Sequence, residues 1–169
     1  MMLKTLSLTQ PWATLLAHGA KRVETRSWGT SHRGWLAIHA AKGFPRDAIE
    51  LCREQPFGHF LYHCGVRVPN DLPRGAIVGL ARLRGCYRIG PRETWPPRGS
   101  ELDGLLTDVE REFGNYEPGR WAWVFGQAFP LRDPIDCKGS LGLWTPPADV
   151  LERVKADWGS RRQCHDDLA

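Results

Sequence analysis

The chain has 169 residues, 41% of them hydrophobic and 25% charged, with a formal net charge of +4. That length supports a single core, the balance excludes global disorder, and no apolar run approaches the roughly 18 residues of a membrane span. The five cysteines are odd in number and form no Cys-x-x-Cys pair, which argues against a zinc or disulfide framework and for reduced thiols in a cytoplasmic protein.

Leu3–Leu8 alternates apolar and polar residues and predicts a short strand. Thr9 is placed to cap a helix, with Pro11 in its first turn, the stripe Trp12, Leu15, Leu16, and Gly19 as its stop. A strand through Val23–Trp28 and a second over Gly34–Ala41 follow. In the latter, Leu36 and Ile38 share one face, and Trp35, Ala37 and His39 the other. Phe44–Glu54 reads as a helix, and Gln55–Gly75 as a loop with a short helical piece. Gly75–Ile89 is the longest strand, with bends expected at Gly79 and Gly85. A Pro-rich excursion over Gly90–Ser100 leads to a helix over Glu101–Gly114. Arg120–Leu131 alternates with Trp121, Trp123 and Phe125 on one face, and Asp133–Trp144 reads as a turn and a last strand. Pro146–Trp158 is a C-terminal helix, and the polar remainder is expected to be loose. The pattern is α+β: a small mixed β-barrel of five to seven strands with peripheral helices. Residues 1–145 make the barrel, and 146–169 a helix and tail of the same domain.

Charge concentrates in Gly19–Trp28. A strand there turns Val23 and Thr25 one way and Glu24, Arg26 and Trp28 the other, with Lys21 in the turn before. Two readings fit: a solvated Glu24–Arg26 pair, or a site in which Lys21 and Arg26 hold an anion, Glu24 takes an exocyclic amine and Trp28 stacks on a base. Gln10 and Trp12 open the neighbouring helix and either read a base or begin a helix with a core indole. His39 is a structural imidazole or a cleft residue, and Lys42 a cleft cation or a solvated one. Trp123 belongs to an aromatic core face or a cleft rim, and Lys138 sits in a turn near the site. Arg82 and Arg84 are surface residues or steer a polyanion. No P-loop, Rossmann glycine pattern or metal-spaced His/Asp cluster is present, so neither cofactor nor metal is expected.

The run Gly19-x-Lys21-x-x-Glu24-x-Arg26 resembles the GxKxxExR motif of the ASCH domain, a PUA-like β-barrel. SLTQPW upstream is similar to the family's first strand and helix start. RGWLAIHAAK and GAIVGLARL resemble its next barrel strands, and WAWVF with CKGSLGLW its closing ones. The resemblance implies a cleft beside the motif that takes RNA or a modified nucleoside or nucleotide. The alternative it implies is an amidohydrolase acting on N4-acetylcytidine, with Lys21 as the motif lysine. Such enzymes carry a threonine where this chain has Glu24, and a later glutamate for which Glu93 and Glu101 lie in a suitable region. In that alternative Lys21 and Glu24 are the catalytic pair. A protein-interaction role, resting on the Pro-rich excursion, is a third expectation.

Overall fold

Strand residues with alternating burial place two cores on the two faces of one sheet. The computed structural model describes residues 3–166, with side chains described through Ser160. The strands are β1 (Lys4–Leu8), β2 (Val23–Arg26), β3 (Gly34–Ala40), β4 (Ala76–Arg88), β5 (Trp121–Asp136) and β6 (Leu143–Trp144). The helices are α1 (Trp12–Ala17), α2 (Arg46–Leu51), α3 (Phe57–His63), α4 (Asp108–Glu112) and α5 (Ala148–Asp166). The strands form one six-stranded sheet in the order β2-β5-β4-β3-β1-β6. Only β1 and β3 are parallel among these pairs. The expected small mixed α+β barrel is therefore present as a curled half-barrel.

On the inner face Leu6, Leu8, Leu36, Ile38, Trp123 and Phe125 pack against Ala13, Leu16 and Ala17 of α1. On the other face Ala37, Ile77 and Leu80 meet Val150 and Val154 of α5. Gly79 makes the first arrangement possible. A Cβ there would lie 2.6 Å from the Ala17 Cβ and 2.8 Å from the Phe129 carbonyl, so α1 lies on the sheet at bare backbone. The predicted bends at Gly79 and Gly85 coincide with register shifts between β4 and β5. These bulges let two long strands coil.

Several boundaries differ from expectation. Gln10, rather than Thr9, holds the start of α1: its side-chain oxygen accepts the Thr14 amide at 3.1 Å. The Gln55–Gly75 segment contains α3, which buries Phe57 and Leu61. The predicted helix over Glu101–Gly114 is confined to Asp108–Glu112, because Thr107 caps the helix by accepting the Glu110 amide. The expected turn at Asp133 is absorbed into β5. There three residues of β4 (Ile77 to Gly79) lie opposite six of β5 (Ile135 to Pro130), and that bulge accommodates Pro134. The last strand shortens to Leu143–Trp144. The tail beyond Trp158, expected to be loose, continues α5 to Asp166. Trp158 anchors that helix on Trp35 with ring centroids 5.2 Å apart.

Candidate functional site

Gly19 ends α1 with φ +75°, a backbone state that suits glycine. The turn it makes returns the Lys21 amide to the Leu15 carbonyl at 3.1 Å. It also sends the Lys21 side chain inward, where it is 0% exposed. The amine meets three acceptors: the Val23 carbonyl at 2.5 Å, the Phe113 carbonyl at 3.1 Å and the Glu24 carboxylate at 3.4 Å. Glu24 also lies 3.3 Å from Arg26 Nε, out of hydrogen-bonding alignment. Arg26 Nη2 then donates to the Ser7 carbonyl at 2.6 Å. A chain of charge thus runs from beneath β2 across to β1 and joins the strand at one end of the sheet to one near the other.

Below this chain sits Glu110, buried on α4. Its carboxylate accepts the Val23 amide at 2.8 Å and the Arg22 amide at 3.0 Å. Burial pushes its carboxyl above the ordinary value, against the pull of Lys21 and of the two amides. Sequence reasoning missed this residue while weighing Glu93 and Glu101. A signal was present: Thr107 and Glu110 have the Thr-x-x-Glu spacing of a capping box. The glutamate here turns away from its own helix start and binds the amides of the motif segment instead.

The motif opens onto a cleft of about 360 Å³ lined by Trp12, Glu24, Thr25, Phe57, Gly114 and Asn115. The Glu24 side chain is 13% exposed. Trp12 is half-buried and meets Phe57 edge-on at 6.0 Å. Lys21, Glu24, Arg26 and Trp12 are therefore brought together. Gln10 is adjacent but enclosed, its amide donating to Thr14 Oγ1 at 2.9 Å and to the Pro73 carbonyl at 2.8 Å. Trp123 is enclosed in the core. Its indole donates to the Trp28 carbonyl at 3.1 Å, and the Trp28 ring meets it edge-on at 4.7 Å. Both tryptophans thus build the wall behind Glu24 and Arg26.

His39, Lys42 and Lys138 do not join this group. His39 shares the strand face of Ala37, opposite to Leu36 and Ile38, while Glu24 and Arg26 pair with Trp123 and Trp121 on the inner face. With Lys42, Lys138 and Ser7 it lines a separate hollow of about 740 Å³. The His39 Nε2 lies 2.9 Å from the Cys137 carbonyl, and Nδ1 lies 3.2 Å from Ser7 Oγ, which accepts the Trp144 indole at 3.1 Å. Gly139 covers the ring so closely that a Cβ would sit 2.4 Å from it.

Burial holds His39 below its ordinary 6.5, outweighing the bond to Cys137 that favours the charged ring. The unfolded chain then binds a proton that the folded chain refuses as pH drops below 6.5. Stability is present above that pH and is lost as pH falls towards the folded-state value. His39→Gln is expected to flatten this part of the profile, as read from urea midpoints at pH 5, 6 and 7. Parallel profiles for variant and wild type would refute the assignment.

Among the described residues, no group of three or more His, Cys, Asp or Glu side chains is arranged to hold a metal ion, and no helix is long and apolar enough to cross a membrane. Cys52, Cys64, Cys86 and Cys137 are free thiols.

The curled sheet with helices on both faces, closed by a charged chain at the seam, defines the PUA-like half-barrel class. A solved structure of ASCH from Zymomonas mobilis superposes with a TM-score of 0.52 at 14% identity, covering 92% of this chain and 94% of that one, a likeness of fold. The chain belongs to the ASCH domain family, whose model matches residues 6–117. Curated relatives are activating signal cointegrator 1 of Homo sapiens, 46% identical over 101 residues, and of Mus musculus, 43% identical over 107. The matches cover 58% and 62% of this chain but only 17% and 18% of those proteins, so the chain spans under a fifth of their length.

Proposed function

We propose that this ASCH domain binds RNA or a modified nucleoside or nucleotide, with a base seated in the cleft between Trp12 and Gly114–Asn115. One observation carries the reading. Glu24 opens onto the cleft while Lys21 and Arg26 hold its carboxylate from behind, so an acceptor for an exocyclic amine is fixed in place beside an indole. Arg26 Nε, enclosed 3.3 Å from Glu24, contributes its charge to that hold. The family's general association with RNA and the net charge of +4 support the reading. Residues 1–145 are taken as the barrel and 146–169 as a C-terminal helix and tail assigned to the same domain, in a cytoplasmic protein. The hydrolase alternative lacks such an observation. An ammonium engaged by three acceptors offers no lone pair to a substrate, so Lys21 reads here as a positioning residue.

Glu24→Gln and Trp12→Ala are each expected to weaken binding of the preferred mononucleotide. The loss should be roughly 5- to 150-fold for Trp12→Ala, the range for one base–aromatic stack. Titration calorimetry with the four ribonucleoside monophosphates and N4-acetylcytidine measures it. Unchanged affinity in both variants would place the ligand elsewhere.

A further inference from the structure

The segment between β4 and α4 builds a second cleft that this reading leaves unused. It encloses about 750 Å³, with Trp95, Arg111, Asn115 and Tyr116 on its walls. Those walls are anchored. Ile89, Leu102 and Leu106 bury beside Val23 and Val124. Glu101 accepts from Tyr87 Oη at 3.1 Å and pairs with Arg84 at 3.1 Å. Tyr116 Oη donates to the Glu110 carbonyl at 3.3 Å, which ties the cleft to the residue that binds the motif amides.

The two clefts adjoin: Glu112, Gly114 and Asn115 line both. Gly114 sits at the junction and brings no side chain of its own; the Tyr116 ring and the Thr25 methyl pack against it, 2.9 Å and 3.4 Å from where a Cβ would lie. Arg120, outside both linings, braces the junction by donating to the Asn115 carbonyl at 3.2 Å and the Thr25 carbonyl at 3.3 Å. Within the second cleft the charges oppose one another. Arg92 pairs with Glu117 at 2.6 Å, and Glu112 neighbours Arg111 on α4. Such a balance does not suit a bare phosphate. The distinguishing chemistry is aromatic: a half-buried Trp95, its ring centroid 6.1 Å from Tyr116 and inclined by 36°, with the Asn115 amide exposed beside it. An indole face next to an amide suits a nucleobase.

We infer that the two clefts form one track for a single-stranded nucleic acid of at least two nucleotides. One base sits beside Trp12 and Glu24, a neighbouring base stacks on Trp95, and the linking phosphate crosses Gly114. This rests on the nucleotide reading of the motif cleft. The test compares each ribonucleoside monophosphate with the matching homo-oligoribonucleotides of two and six residues, by calorimetry and fluorescence anisotropy at low and high salt. The dinucleotide is expected to bind roughly 5- to 150-fold more tightly than the monophosphate. Trp95→Ala should remove that step, Trp95→Phe should retain most of it, and neither should alter monophosphate affinity. The step should persist at high salt, where a purely electrostatic length effect collapses. Arg111→Glu, an exposed change that spares the packing, should also weaken the oligonucleotides selectively. Equal affinities for mono- and dinucleotide, or an unchanged step in folded Trp95→Ala and Arg111→Glu, would overturn the track and leave the motif cleft standing. Failure of every mononucleotide and oligonucleotide to bind would overturn both.

Discussion

Glu110→Ala is expected to lower folding stability by about 3–5 kcal/mol, the cost of breaking a buried charge network from one side. The carboxylate removed is the acceptor for two backbone amides, those of Arg22 and Val23, in the segment where α1 hands over to β2. Alanine leaves the Val23 amide buried without that acceptor and the motif segment untied from α4. Glu110→Gln keeps one oxygen and should recover part of the loss. The raised carboxyl adds a pH signature. A folded state that holds its proton above the unfolded 4.5 loses stability as pH climbs through the window above that value. The slope should vanish in Glu110→Gln. Urea denaturation of both variants between pH 4 and 7 measures the two effects together. A cost below about 1 kcal/mol for the alanine variant would show that water replaces the carboxylate.

Lys21→Met keeps the aliphatic stem and deletes the ammonium. It is expected to destabilise by a comparable margin, about 3–5 kcal/mol, because Glu24 loses a counter-charge and two buried carbonyls lose a donor. A cycle with Glu24→Gln separates this from a simple packing defect. Once Glu24 is neutral, loss of the ammonium matters less, so the double variant should be more stable than the summed single effects by about 0.5–3 kcal/mol. Strict additivity would mean that Lys21 and Glu24 do not support one another. Mononucleotide binding in Lys21→Met at temperatures where it stays folded should fall with the displacement of Glu24.

What the sequence made legible follows from periodicity. Two-residue alternation was enough to assign the faces of β2 and β3. Val23 and Thr25 are buried while Glu24 and Arg26, on the other face, are only partly so, and Leu36 and Ile38 back onto Ala37. It could not reveal which strands meet. His39 and Glu24 were grouped because their strands follow one another in the chain, yet β5 and β4 separate β2 from β3 in the sheet, and the two residues occupy opposite faces. Glu110 lay beyond reach for the same reason: its partners are 88 and 87 positions away, and its own helix offered a local use for it. The helix expected over Glu101–Gly114 is overlong because local pattern does not separate the turns around Leu102 and Leu106 from the helix proper. Both leucines do bury, but in turns that precede the Thr107 cap.

The order of strands carries a consequence for how the chain is made. β2 pairs only with β5 in the sheet, and the family model ends at residue 117, before β5 begins at Trp121. On a ribosome adding 5–20 residues per second, the motif strand emerges roughly 5–20 s before its partner exists. During that interval Val23 and Thr25 have no sheet to enter, and a nascent chain halted near residue 117 would display the motif without the wall that supports it. The segment that bears the family's signature acquires its shape only when a strand outside that signature arrives.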